Sequence, residues 1–166
     1  MATAPPAGST NVEIVRFIFD CLNRHDVAPL REVWAADGVE RFPDETCNGV
    51  DAIANYLERG FAGLPDFHMD VRSIVADGDH VFVHWQLTGT HTGPFNGLDP
   101  TGRSIALDGM DHFELRDGRV ISNFVVFDQM QIARQLGVLP PDGSPADRAM
   151  KSAYNVKTRL AELINR

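Results

Sequence analysis

Between Phe67 and Phe127 the sequence reads as consecutive strands whose turns leave little freedom in how they pair. Phe67 to Ala76 alternates apolar and polar residues, and Asp77-Gly78-Asp79 turns the chain into His80–Thr88. Arg116-Asp117-Gly118 then joins Ser104–Leu115 to Arg119–Phe127. An aspartate–glycine pair supplies the backbone angles a tight hairpin needs, so these last two strands are antiparallel neighbours. A Gly/Pro/Thr-rich loop, Gly89 to Gly102, separates the middle pair. Helical stretches precede the strands and no strand–helix–strand alternation follows, so the fold class is α+β. A Rossmann-type nucleotide fold does not fit that order, and no glycine-rich phosphate loop is present.

The first helix is expected from Thr10 or Asn11, either a suitable cap, through Arg24, with Val12, Ile14, Val15, Ile18, Phe19 and Leu22 recurring at helical spacing. A second helix is expected from Pro29 to Ala36, a short strand at Val39–Phe42, and a third helix from Asp51 to Phe61 with Ile53, Tyr56 and Leu57 inward. After the strands, Gln129–Leu136 reads as a short helix stopped by Gly137. Ser144-Pro145-Ala146-Asp147 has the cap, proline and acid of a helix start. Met150, Tyr154, Lys157, Leu160 and Ile164 then share one stripe, so the last helix must cover either its own domain or a partner subunit. The expected organisation is a disordered lead at 1–9, one domain at 10–139, and a linker plus amphipathic helix at 140–166.

The net charge is −8 and no cluster of Lys and Arg stands against it, so nucleic acid is not an expected partner. No run approaches the length of apolar sequence needed to span a membrane. The opening MATAPPAGST lacks the basic start and apolar stretch of a signal peptide, and the cytoplasm is the default compartment. Cys21 and Cys47 read as reduced thiols. Among six histidines none forms a helical i, i+4 pair or a His-Glu-x-x-His arrangement, so no metal is expected.

Three residue groups together resemble the SnoaL-like polyketide cyclases, within the cone-shaped superfamily named after nuclear transport factor two. They are Gly89-Thr90-His91-Thr92-Gly93 with Phe95; Pro100-Thr101-Gly102-Arg103 with Gly109-Met110-Asp111; and Asp117-Gly118-Arg119-Val120 leading to Phe127-Asp128 and Gln135-Leu136-Gly137. The resemblance covers about Thr10 to Gly137 and leaves the stretch after Pro140 outside. It implies helices packed on the concave side of a strongly bent, mainly antiparallel sheet, with a hollow cone open at one end. It implies no metal and no organic cofactor. Relatives close rings by intramolecular aldol chemistry, isomerise ketosteroids, dehydrate phenolic substrates or hydrolyse epoxides, so the reaction stays open.

Along Ile105-Leu107-Gly109-Asp111-Phe113-Leu115, alternation sets one carboxyl group among apolar neighbours. Desolvation there would raise its pKa, making Asp111 the first candidate for a general acid or base. Ile121, Asn123, Val125 and Phe127 are expected to share the next strand's inner face. Family members commonly carry His where Asn123 stands and a catalytic Asp where Val125 stands. Val125 cannot transfer a proton, while Asn123 can orient or polarise a carbonyl. Asp128 is expected to cap the helix after it. His91, in the loop at the sheet's end, either reaches a pocket mouth or fixes its turn. Trp85, Phe17, Tyr56, Phe61, Phe113 and Phe127 supply aromatic surface for a pocket or a core. Three functions therefore stand open: acid–base chemistry on a small apolar oxygenated, cyclic metabolite, non-catalytic binding of a hydrophobic molecule, or an oligomerisation module whose cone is filled and holds no cavity. The outer sheet face, with Phe82, His84, Gln86, Met110, His112, Phe124 and Val126, is expected to pair two copies into a homodimer.

Overall fold

A computed structural model describes residues 4–95 and 97–164. Residues 1–3 of the expected lead, Asn165, and the side chains of Leu163 and Ile164 in the expected stripe lie outside the described residues.

Helix α1 (Asn11–Asn23) opens with a reciprocal cap: Thr10 Oγ1 accepts the Glu13 N–H, and the Glu13 carboxylate accepts the Thr10 N–H. Ile14, Val15, Ile18, Phe19 and Leu22 form its buried stripe, with Cys21 beside them. Helix α2 (Leu30–Val33) is shorter than the Pro29–Ala36 expected. The cause is tertiary. Trp34 adopts extended backbone and buries its indole, while the Arg119 guanidinium donates to the carbonyls of Arg31 and Trp34. Strand β1 (Trp34–Arg41) therefore begins five residues ahead of the expected Val39. Strand β2 (Thr46–Asn48), which no local pattern announces, pairs along it.

Helix α3 (Val50–Gly63), then β3 (His68–Asp77), β4 (His80–Thr90), β5 (Ser104–Arg116) and β6 (Arg119–Phe127) complete the main body. The six strands form one sheet in the order β2-β1-β6-β5-β4-β3, parallel only between β1 and β6. This is the cone-type α+β architecture expected. Register irregularities on β1, β3 and β6 bend the sheet. The one on β6 changes its expected alternation. Val120 pairs with Leu115 and Ser122 with Glu114, so Ile121 is left over; Val120 is buried in its place and Ile121 is half-buried. From Asn123 onward the expected parity holds.

Two side-chain amides extend the sheet where strands stop. Asn23 donates to the Met69 carbonyl at 2.9 Å and accepts the Met69 N–H at 2.7 Å, fastening α1 to the β3 edge. Gln135, at the end of helix α4 (Gln129–Gln135), makes the same pair of bonds with Ala106 of β5, both at 2.7 Å. Asp128 caps α4 as expected, accepting from the N–H groups of Met130 and Gln131.

Helix α5 (Pro145–Ile164) starts at a buried Asp147, whose carboxylate accepts from the Gly143 N–H and Lys151. From Arg148 onward each described side chain is exposed. Of the two coverings the sequence leaves open for this helix, its own domain is not one.

Trp85 on β4 opposes Gly109 on β5, and the indole fills the space a side chain at 109 would occupy. Replacing Gly109 with Ala should therefore destabilise the protein by about 1–3 kcal/mol through overpacking. That loss lowers Tm by roughly 2–4 °C per kcal/mol and should change the near-ultraviolet circular dichroism of tryptophan. A variant that melts and absorbs like the wild type would contradict this close approach.

Candidate active site

The concave face of the sheet, covered by α1 and α3, encloses a cavity of about 120 Å³. Among its described lining residues, only Glu40, Tyr56, Trp85 and Asp111 bring polar side-chain atoms; the remainder includes Leu22, Phe61, Met69, Leu107, Val125 and Phe127. A wall this apolar does little to solvate charge, so the two carboxyl groups define the site.

Asp111 stands where the alternation of β5 puts it, 6% exposed and opposite Val83 and Val125. Burial pushes its pKa up to about 7. The Trp85 indole N–H and the Asn123 amide lie close enough to favour the ionised form, yet neither is aligned into a hydrogen bond with it. Asp111 Oδ1, Trp85 Nε1 and Asn123 Oδ1 are all buried without a partner. Buried polar atoms are rarely left so.

Glu40 is the residue that sequence reasoning missed. It sits on β1 directly across from Asn123, whose Nδ2 donates to Glu40 Oε1 at 2.8 Å. Burial pushes Glu40 up to about 8; the nearby Asp111 charge adds to the rise and the Asn123 bond opposes it. Both carboxyl groups are thus held neutral to higher pH than a free acid, and the two titrate as a coupled pair that keeps one proton more firmly than the other. A signal was present in Val39-Glu40-Arg41-Phe42, because alternation puts Glu40 on the face of Phe42 rather than of Arg41. The parallel β1–β6 pairing that carries Glu40 to Asn123 has no local signature.

The cavity gathers Asp111, Trp85, Tyr56, Phe61, Val125 and Phe127 from the residues singled out in the sequence, with Asn123 behind Glu40. Phe113 packs edge-on against Phe19 in the core instead, and Phe17 is only partly buried at the outer side of α1; neither lines the cavity. His91 is fully buried and also stands off the cavity. Its Nδ1 accepts the Thr101 N–H at 3.3 Å and lies 3.0 Å from Thr101 Oγ1, so it fixes its loop. His25 plays an unforeseen supporting part, stacked on Phe61 at 4.5 Å and bonded to the Phe67 carbonyl. Tyr56 stacks on Phe42 and donates to Asp44, and burial together with that carboxylate raises its pKa. Among the described residues, no three His, Cys, Asp or Glu side chains gather as metal ligands.

A bent sheet closed by helices over an apolar, acid-bearing hollow defines the cone-shaped class that includes ketosteroid-isomerase-like proteins. The chain belongs to the SnoaL-like polyketide cyclase family, whose model matches residues 12–136. Among solved structures it is similar to AclR, a proposed hydroxylase from Streptomyces galilaeus, at 25% identity over 90% of this chain and 92% of that one, with a TM-score of 0.67. It is also similar to IdmH, a proposed polyketide cyclase from Streptomyces antibioticus, at 26% identity over 74% and 95%, with a TM-score of 0.64. A proposed SnoaL-like cyclase from Jannaschia sp. CCS1 superposes with a TM-score of 0.72 at 23% identity over 81% and 100%. No curated protein matches the chain. The family supports a cyclase-type or ligand-binding role.

Both acids are raised above their unfolded values, so each is protonated in the folded chain at pH values where the unfolded chain has ionised. Their contribution to stability is thus fullest in acid and declines as pH rises, through about 7 for Asp111 and about 8 for Glu40. Glu40→Gln keeps the acceptor for Asn123 and cannot ionise. At pH 9 it should be at least about 1 kcal/mol more stable than the wild type, with a smaller gain at pH 5. Urea denaturation at the two pH values checks this, and an equal gain at both would show that Glu40 does not resist ionisation.

Proposed function

We propose that this protein is a cofactor-independent acid–base enzyme that moves a proton beside a carbonyl group of a small, uncharged, cyclic metabolite. The pair of buried carboxyl groups on one wall of an apolar cavity carries this proposal. Asp111, which lines the cavity with no hydrogen bond of its own while Glu40 is engaged by Asn123, is the base that takes the proton from carbon. As the carbonyl oxygen gains negative charge, the Trp85 N–H and the protonated Glu40 are the available donors to it. Returning the proton to another carbon gives isomerisation, and attack of the resulting enolate on a second carbonyl gives aldol closure. Loss of a β-hydroxyl from the enolate gives dehydration. The family's usual acid position is Val125 here, and Glu40 restores a second proton-bearing group from another strand.

The size of the hollow bears on the substrate. An engineered cavity of about 150 Å³ accommodates benzene, so the 120 Å³ seen here suits about one ring. Larger molecules require the aromatic walls to rotate. An uncharged substrate also fits the raised acids, since a second buried anion would cost still more.

The test is hydrogen–deuterium exchange at the α-carbons of single-ring ketones such as cyclohexanone and 2-cyclohexen-1-one, followed by NMR in deuterated water. The rate should climb with pH as the first carboxyl group of the pair ionises, near about 7, and fall as the second does, near about 8. Asp111→Asn should lower it by about 10²–10⁴-fold. Val125 favours the alternative of a non-catalytic binding protein. Saturable ketone binding with no exchange above the buffer rate would establish that alternative.

We also propose that the protein is a cytoplasmic homodimer joined through the outer sheet face. Cys21 and Cys47 are free, buried thiols, in keeping with a reducing compartment. Phe82, Met110, Phe124 and Val126 are between 42% and 53% exposed on that outer face. So contiguous a patch is more than a monomer usually leaves to water. Light scattering at micromolar concentration should give twice 18.3 kDa; a species of 18.3 kDa alone would exclude the dimer.

A further inference from the structure

Gly60 weakens the helix that contains it. It stands inside α3, where a residue without a side chain is unfavourable relative to alanine. Two physical reasons commonly keep a glycine in such a place: a left-handed backbone, or the close approach of a neighbour. Neither applies. Gly60 is not among the glycines with positive φ, and a methyl group in place of its hydrogen would meet no atom of the described residues within 4 Å. Gly63, one turn further on, supplies the contrast. A methyl group there would come within 2.8 Å of Phe95, so packing excludes it.

The open space beside Gly60 belongs to the cavity. Gly60 follows Ile53 by seven residues and Leu57 by three, so the three positions share one helix face. Ile53 is fully buried, and Leu57 and Gly60 both line the hollow. Asn55, Glu58 and Arg59 take the opposite, exposed side. A side chain at position 60 would therefore enter the hollow rather than the solvent. Around it stand Tyr56, Leu57, Phe61 and Leu64. The polar group among these, the Tyr56 hydroxyl, is turned onto Asp44. A surrounding of this kind suits hydrocarbon and disfavours a polar group. Gly60 is on the helical wall, whereas Asp111, Trp85 and Glu40 are on strands, so the gap and the acid pair occupy different walls of one hollow.

We propose that the gap beside Gly60 is a slot for a short apolar substituent on the substrate's ring, and that Gly60 is the residue that sets specificity for it. This rests on the reading of the cavity as a site for a ring ketone, and it narrows the substrate class to a ring ketone bearing an alkyl arm. The carbonyl lies toward Asp111 and the arm toward α3. An arm seated in the slot fixes the orientation of the ring, and with it the α-carbon presented to the base.

The probes are benzene and propylbenzene, titrated calorimetrically into the full chain. Neither carries a carbonyl group, so they test the slot apart from the reaction. Wild type should bind propylbenzene on the order of fiftyfold more tightly than benzene, because each buried methylene favours binding. Gly60→Ala sets one methyl group in the slot and should reduce that preference by about tenfold. Gly60→Leu, which fills the slot, should no longer bind propylbenzene. Alanine is the better helix former, so a Tm at or above that of wild type shows that the Gly60→Ala fold is intact. A preference unchanged in Gly60→Ala, with propylbenzene still bound by Gly60→Leu, overturns the slot even where wild type exchanges the α-protons of cyclohexanone. Loss of the preference in the variants, with no ketone exchange in wild type, upholds the slot and overturns the proton-transfer reading instead. Failure of wild type to bind either hydrocarbon overturns the slot.

Discussion

The structure turns on holding two carboxyl groups, Glu40 and Asp111, in a space that solvates charge poorly. Each is within 7% of full burial, and among the described residues only one hydrogen bond, from Asn123 to Glu40, is formed on their behalf. Burial on this scale favours the neutral acid, and proximity allows a proton to sit on one partner while the other ionises. Both groups therefore stay protonated at pH values where a free carboxyl group has ionised. The same arrangement costs stability as pH rises, a cost the rest of the core must outweigh.

The core meets that demand by its shape. A flat sheet would present Asp111 and Glu40 to a covering helix and leave no hollow. Irregular pairing on β1, β3 and β6 bends the sheet, so α1 and α3 close over its concave side while space remains beneath them. Gly109 contributes by having no side chain, which lets Trp85 lie against β5 with its N–H unpaired next to Asp111. The aromatic walls are themselves held, Phe61 by stacked His25 and Phe42 by stacked Tyr56. Rigid walls and a few unsatisfied polar atoms are common properties of ligand pockets.

The largest departure from local expectation falls where two distant segments meet, and smaller ones fall within a hairpin and a loop. α2 was expected to run through Ala36, but Arg119, eighty-five residues from Trp34, takes up the carbonyls at its end, and Trp34 enters the sheet. Ile121 was expected to face inward until its pairing with β5 slipped by one residue. His91 proved to be a loop fastener because Thr101, across that loop, occupies its Nδ1. Only the first of these interactions is long-range; the slip at Ile121 and the His91–Thr101 bond lie within one hairpin and one loop, where residue type fixes neither the register nor the direction of a ring.

The sequence by itself determined the α+β order, the hairpins of the sheet, the capped starts of α1 and α4 and the inward position of Asp111. Those features follow from the two-residue period of a strand, the 3.6-residue period of a helix and the short reach of capping side chains. It also determined that α5 has an apolar stripe. Tertiary structure alone decided that Glu40 joins Asp111, because the parallel pairing of β1 with β6 brings together residues more than eighty positions apart. It alone decided which aromatic rings line a cavity rather than fill a core, since ring type is the same in both and only packing differs. And it decided that α5 leaves its stripe uncovered, because periodicity says which face is apolar but not whether the chain folds back to bury it.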